Sequence, residues 1–336
     1  MLKTMIARCA LAAGIVICPF AQAQDIAICY SCPEQWADWG TQISAIKKEI
    51  GVTVPFDSKN SGQALAQMVA EKNNPVADFA DLGITFGIQA QQLGLTQPYK
   101  PALFDEIPDD LKDPDGNWFA IHTGTVGFFI NKDVLEDRKL PSPKSWNDLL
   151  KPEYKGLVGY YDPTSAFIGY IAAMAANVSL GGSLDNFDPG TKYFQDMKKN
   201  SPIVVNQTSY ARVLSGEIAI LVDADFNANR GRYKDEANVE FVLPAEGSLS
   251  VPYVAVLSKN APHPVAAKKV LDFLISDKGQ TIWANAYLRP VRNVLDKETT
   301  DKLFPEKEYA RVKKIDFRKM AEVQKKFADR YLSDVR

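Results

Sequence analysis

Cysteine and histidine are scarce in this chain of 336 residues, which holds four of the first and two of the second. Cys9 and Cys18 sit in an N-terminal leader, so a mature chain would keep only Cys29 and Cys32, spaced C-x-x-C. An excess of one charge is also missing. With 39 basic and 41 acidic side chains the formal net charge is −2, which gives no footing for a nucleic-acid partner or an anionic membrane surface. After Phe20 no apolar stretch approaches the length of a membrane span. There is no G-x-S-x-G elbow, no H-E-x-x-H and no glycine-rich phosphate loop, which removes the motif-bearing enzyme classes. Low-complexity segments and short repeats are absent as well.

What is present begins with that leader. Met1 to Ala23 combines Lys3 and Arg8, an apolar run from Cys9 to Phe20, and Ala21 and Ala23 flanking Gln22. This is the layout of a cleaved secretory signal peptide, predicting an exported protein that starts near Gln24. Cys18 follows Ile17 and Cys29 follows Ile28, so neither follows the small residue that a lipid-anchoring site requires. In an exported chain the pair Cys29 and Cys32 is expected to be oxidised. A structural disulfide is the reading preferred; a periplasmic thiol-disulfide protein is the enzyme alternative, since C-x-x-C before a helix is also a redox motif.

The remaining length suits two domains. Short apolar strands at 25–30, 52–56 and 78–82 are each followed by a hydroxyl-bearing loop and an amphipathic helix. The pattern resumes after Gly156, so the fold class expected is α/β with largely parallel, helix-flanked sheets. Two apolar β-rich segments, 118–131 and 246–257, read as crossings from one domain to the other. The run from Gly216 to Arg230 stands out. An apolar block, Ile218 to Val222, leads directly into Asp223, Asp225, Asn227 and Asn229. It reads as a buried strand whose carboxyl end opens into a polar loop, the edge where open α/β sheets bind ligands. Turn formation by Asp and Asn is the structural alternative.

Several segments together resemble the extracellular solute-binding proteins of bacterial ABC importers. They are the run from Asn60 to Leu65, the run from Val76 to Gly83, the long run from Pro141 to Gly156, Asp162-Pro-Thr-Ser165, and the run from Ala261 to Lys269. The likeness is to the branch that holds ferric-ion, polyamine, thiamine, aminophosphonate and sugar-phosphate binders. It implies a type II two-lobed fold with two hinge strands. One lobe would comprise 24–123 and 254–336, the other 124–253, closing over a ligand in the cleft. It further implies a periplasmic location, an inner-membrane permease as partner, no catalysis and no cofactor; a monomer is expected.

Ferric binders of this branch carry an adjacent tyrosine pair in the loop after the strand that here ends at Val222. That loop has no tyrosine, and the pair Tyr160 and Tyr161 falls elsewhere. With His122 and His263 the only imidazoles, no metal site is expected, though a ferric-ion binder of the same fold stays as an alternative. The ligand's charge is open at this level. Asp223 and Asp225 suit an ammonium group, as in a polyamine, whereas helix starts at Ser31, Ser61, Thr85, Ser165 and Thr208 suit a phosphate, phosphonate or carboxylate. An aminophosphonate would use both. The ligand residues expected are Ser31, Ser61, Gly62, Thr85, Phe86, Thr164, Ser165, Thr208, Asp223, Asp225, Asn227 and Tyr253.

Overall fold

The computed structural model describes residues 25–336, so the expected signal peptide lies outside the described residues. The first strand, β1 (Cys29–Tyr30), is followed by α1 (Trp39–Ile50) and α2 (Ser61–Ala70). Then come β2 (Phe79–Gly83), α3 (Ile84–Gln92) and β3 (Phe119–Thr123). The strand expected over 52–56 is reduced to two isolated bridges, Ile26 with Thr53 and Cys29 with Phe56. Pro55 explains this: it has no N–H to give, and serves only as an acceptor for the Cys29 amide at 2.8 Å.

The chain leaves the first sheet at Gly124 and enters the second through β4 (Val126–Asn131). Next come α4 (Lys132–Asp137), β5 (Val158–Tyr161), α5 (Phe167–Ser179), α6 (Asp188–Lys199) and β6 (Ile203–Val205). The second sheet is completed by α7 (Tyr210–Leu214), β7 (Ile220–Ala224), α8 (Asp225–Tyr233) and β8 (Val239–Val242). The return passes through β9 (Ser248–Leu249) into β10 (Tyr253–Leu257), back in the first sheet. The chain then forms α9 (Pro264–Ile275), α10 (Asp277–Asn285), β11 (Arg289–Pro290), α11 (Lys297–Leu303), α12 (Glu306–Tyr309), β12 (Val312–Lys313) and α13 (Phe317–Asp334).

The two five-stranded sheets run β1-β2-β10-β3-β11 and β6-β5-β7-β4-β8. Parallel pairing holds where strand-loop-helix units follow one another, at β1 with β2 and at β6-β5-β7. The pairs made by β4 and β10 are antiparallel, because these strands arrive from the opposite lobe and enter against the local strand direction; β11 also pairs antiparallel with β3, and β12 pairs parallel with β9 in a separate two-stranded sheet. The crossings are bonded to each other: the Gly124 amide donates to Val251 at 3.1 Å and the Val251 amide to Gly124 at 2.8 Å. A side chain at 124 would collide with the Phe226 ring at 2.7 Å.

Apolar spacing accounts for the layers. In α1, Trp39 and Ile46 fall on one buried face, and in α5 every residue from Phe167 to Asn177 is buried, which makes it the central helix of its lobe. The stripe Phe317, Met320, Phe327 and Tyr331 of α13 is also core. It packs on both lobes. Gln324 accepts from Gln89 of α3 at 2.8 Å, the Met320 carbonyl accepts from Tyr170 of α5 at 2.7 Å, and Tyr331 shares a 2.8 Å hydroxyl contact with Tyr160 of β5.

Candidate functional site

A cavity of about 380 Å³ lies between the lobes, at the carboxyl ends of β1, β5 and β6. Both lobes supply its wall: Ser31, Trp36, Lys59, Ser61 and Tyr253 on one side, and Tyr161, Ala166, Phe167 and Asn206 to Thr208 on the other.

Two helices begin at this cavity. Helix α2 is preceded by Asn60, whose side chain accepts from the Gln63 amide while Gln63 reaches back to the Asn60 amide. The capping box leaves the amides of the first two helical residues without an intrahelical acceptor. Ser61 does not cap its own helix; its hydroxyl accepts from the Gly83 amide at 3.0 Å and so ties α2 to the end of β2. Helix α5 starts opposite, behind Ala166, with no side-chain cap, and Ala166, Phe167 and Ile168 face the cavity. Lys59 adds a full positive charge. Its ammonium lies 4.7 Å from the centre of the Tyr30 ring and pairs with Asp57, which also accepts from the Ser31 amide at 2.9 Å.

The aromatic floor is Tyr253, packed edge-on by Phe167 at 5.4 Å, tilted against Trp36 at 5.6 Å and stacked on His122 at 5.4 Å. His122 is fully buried, and burial holds its imidazole down to about 3. His263 is engaged by Asp78 at 3.0 Å. Among the described residues no group of three His, Cys, Asp or Glu side chains is arranged around a common point.

Of the residues expected from sequence, Ser31, Ser61, Thr208 and Tyr253 line the cavity. The others sit behind or beside it. Gly62 abuts the lobe interface, where an added Cβ would lie 2.6 Å from the Ser165 carbonyl oxygen. Thr85 and Phe86 are buried in the first turn of α3, away from the wall. Thr164 turns back on Asp162, to which its amide and hydroxyl donate at 2.9 and 2.7 Å.

The acidic stretch is not a loop. Its strand runs on to Ala224 and α8 starts at Asp225, so Asp223 is still in the sheet and Asp225 opens the helix. Asp223 is fully buried and accepts from the Ala224 amide at 2.8 Å, Asn227 at 2.9 Å and Tyr161 at 3.3 Å. Burial pushes its carboxyl up to about 7, against the pull of those donors. Asn227 therefore serves Asp223. Asp225 holds the hinge: it accepts from the Thr125 and Phe226 amides, each at 2.9 Å, and from Tyr309 at 2.8 Å, with burial raising it to about 6.

Sequence reasoning missed Lys59, Trp36, Tyr161, Phe167, Asn206 and Gln207. Asn60 with Gln63 carried a readable signal, the N-x-x-Q capping pattern. Tyr161 and Asp223, 62 positions apart, are brought together only by the pairing of β5 with β7.

The cysteines are joined as a disulfide, and both are fully buried. Among the described residues no helix is long and apolar enough to cross a membrane.

Comparison with known proteins places this geometry. The profile of the bacterial extracellular solute-binding proteins matches residues 74–323. An uncharacterised protein of Haemophilus influenzae is 32% identical over 286 residues, covering 81% of this chain and 79% of its own. A putative 2-aminoethylphosphonate-binding periplasmic protein of Salmonella typhimurium is 26% identical over 247 residues, covering 71% and 69%. The periplasmic binding protein AfuA of Actinobacillus pleuropneumoniae, solved with fructose-6-phosphate, superposes with a TM-score of 0.82 at 23% identity over 93% of this chain and 99% of that one. Two lobes, an interlobe cavity and a family profile over most of the chain agree: the protein belongs to the bacterial extracellular solute-binding family and is the periplasmic, non-enzymatic binding component of an ABC importer.

Proposed function

We propose that this protein captures a small organic phosphonate or phosphate ester between its lobes and presents it to the permease as a monomer. The lobes divide as 24–123 with 254–336, and 124–253. The observation that carries this reading is the convergence of the α2 and α5 starts with Lys59 on one cavity. Unpaired helix-start amides and an ammonium group together favour an anion of tetrahedral oxygens, and drawing them from both lobes couples its capture to closure. The names of the Salmonella relative and of the AfuA complex point to the same ligand chemistry. Glu34, on the cavity rim, offers a carboxylate to an amine, which suits 2-aminoethylphosphonate.

A polyamine is less well matched, since Asp223 and Asp225 do not line the cavity. Ferric ion is less well matched too, because the Tyr161 phenol donates to Asp223 and burial pushes its pKa far above the usual range, opposing a phenolate ligand. Thermal melts with 2-aminoethylphosphonate, fructose-6-phosphate, putrescine and Fe(III) test the proposal. Ligand at one hundred times its dissociation constant adds about 2.7 kcal/mol of stability, so one of the two phosphorus compounds should raise the melting temperature. A rise with putrescine or Fe(III) alone would refute the proposal.

A further inference from the structure

We propose that the Cys29–Cys32 disulfide sets ligand affinity, by holding Tyr30 and Ser31 as the mount on which Lys59 is presented to the cavity. The inference rests on the reading that an anion binds beside Lys59.

The two residues between the cysteines each hold Lys59 in a different way. The Tyr30 ring lies beneath the Lys59 ammonium at 4.7 Å, and the Tyr30 hydroxyl is pinned by the Glu71 carboxylate at 2.9 Å, which fixes the ring. The Ser31 amide donates to Asp57 at 2.9 Å, and Asp57 in turn pairs with the ammonium and accepts from the Lys59 amide at 3.2 Å. To aim its amide at Asp57, Ser31 takes φ +64°, a left-handed conformation that residues with a side chain rarely adopt. A covalent bond between the flanking cysteines closes a loop of four residues around that conformation, so fewer alternatives compete with it.

The same loop leads into the cavity wall, which continues through Pro33, Glu34, Gln35 and Trp36. Both cysteines are shielded from solvent at 0% exposure, which fits a fixed mount and not a dithiol that must meet a partner. The disulfide is therefore a positioning element. It touches no ligand, and acts through the place it gives to one ammonium group.

The test is a double-mutant cycle on the exported protein, with 2-aminoethylphosphonate as probe and dissociation constants from titration calorimetry. The proteins are wild type, C29A/C32A, K59M and the combination of the two. Removing the disulfide should weaken binding by about tenfold when Lys59 is present and by less than about twofold in the K59M background. Equal losses in both backgrounds, or no loss in either, would overturn the proposal. Should C29A/C32A lack the native circular-dichroism spectrum, Y30L with the disulfide intact carries the test. Its affinity should fall severalfold, and the fall should vanish in the K59M background; unchanged affinity would overturn the proposal. Wild-type protein that binds neither 2-aminoethylphosphonate nor fructose-6-phosphate refutes the assignment of the site itself, whereas wild-type binding with additive losses refutes only the part given to the disulfide.

Discussion

Three buried aspartates show how differently one side chain can be used around a single cleft. Asp223 stands behind Tyr161, Asp225 ties the hinge, and Asp81 accepts from the Trp39 indole at 2.8 Å within the first lobe. Burial raises all three carboxyls, Asp81 to about 8. The sign of the consequence follows from linkage. The folded protein keeps the Asp81 proton to higher pH than the unfolded chain, whose aspartates titrate near 3.8, so this group erodes stability as pH rises from about 4 to about 8 and no further above that. Asp81→Asn retains an acceptor for Trp39 and removes the titration. Its melting temperature relative to wild type should therefore be more favourable at about pH 8 than at about pH 5; an equal difference at the two pH values would contradict the assignment. Asp223→Asn tests the ligand's charge. For an anionic ligand, affinity at about pH 8 should hold or improve, because a nearby negative charge has gone. A tenfold loss by calorimetry, worth about 1.4 kcal/mol, would instead place an ammonium group on Asp223. Sequence made this aspartate visible as a polar group at a strand end. That Tyr161 stands in front of it was not visible, since the two meet only through sheet pairing.

Helix starts were legible individually and their convergence was not. The strand-loop-helix rhythm foretold a helix opening near Ser61 and another near Ala166; Asn60 caps the first, whereas the second begins with no side-chain cap. Which starts share a cavity depends on strand order, and a local pattern does not encode strand order. Hence Thr85, an equally good candidate by sequence, is sealed in the core, whereas Lys59, which reads as an ordinary surface lysine, lines the site. Where α2 meets the other lobe, Gly62 leaves room for the Ser165 carbonyl. Gly62→Ala should act as a wedge on the closed form. Overpacking of this kind costs about 1–3 kcal/mol, so ligand affinity should fall roughly five- to hundredfold. The melting temperature without ligand should change little, because the lobes can part slightly and relieve the contact. Calorimetry and a melt on the same sample separate the two effects, and unaltered affinity would mean that this contact plays no part in closure.

At the scale of the whole molecule, the two crossings were readable as apolar β-rich segments, and β3-β4 and β9-β10 fulfil that reading. The direction of pairing was less so, because a crossing strand enters its sheet antiparallel and breaks the parallel rule that the flanking units obey. Helix α13 is the other element whose role needed the structure: its stripe predicted burial and did not say against what. Phe327 packs against Tyr170 at 5.6 Å and Phe187 at 5.4 Å, so Phe327→Ala should cost about 3–5 kcal/mol. Because α13 is shared, unfolding should remain a single calorimetric transition at a lower temperature; a split into two would show that the lobes melt independently. The same sharing constrains the motion. Separating the lobes at α13 would expose Phe327, Tyr331 and Met320, each worth about 1.5–3 kcal/mol of burial, whereas the Arg230 contact to the Gln35 carbonyl at 3.1 Å is exposed and inexpensive to break. The molecule should thus open like a book with α13 along its spine, the pages parting most at the margin where Arg230 meets Gln35. A pair of fluorescent labels on that margin would report ligand directly, and a pair set along the spine would stay silent.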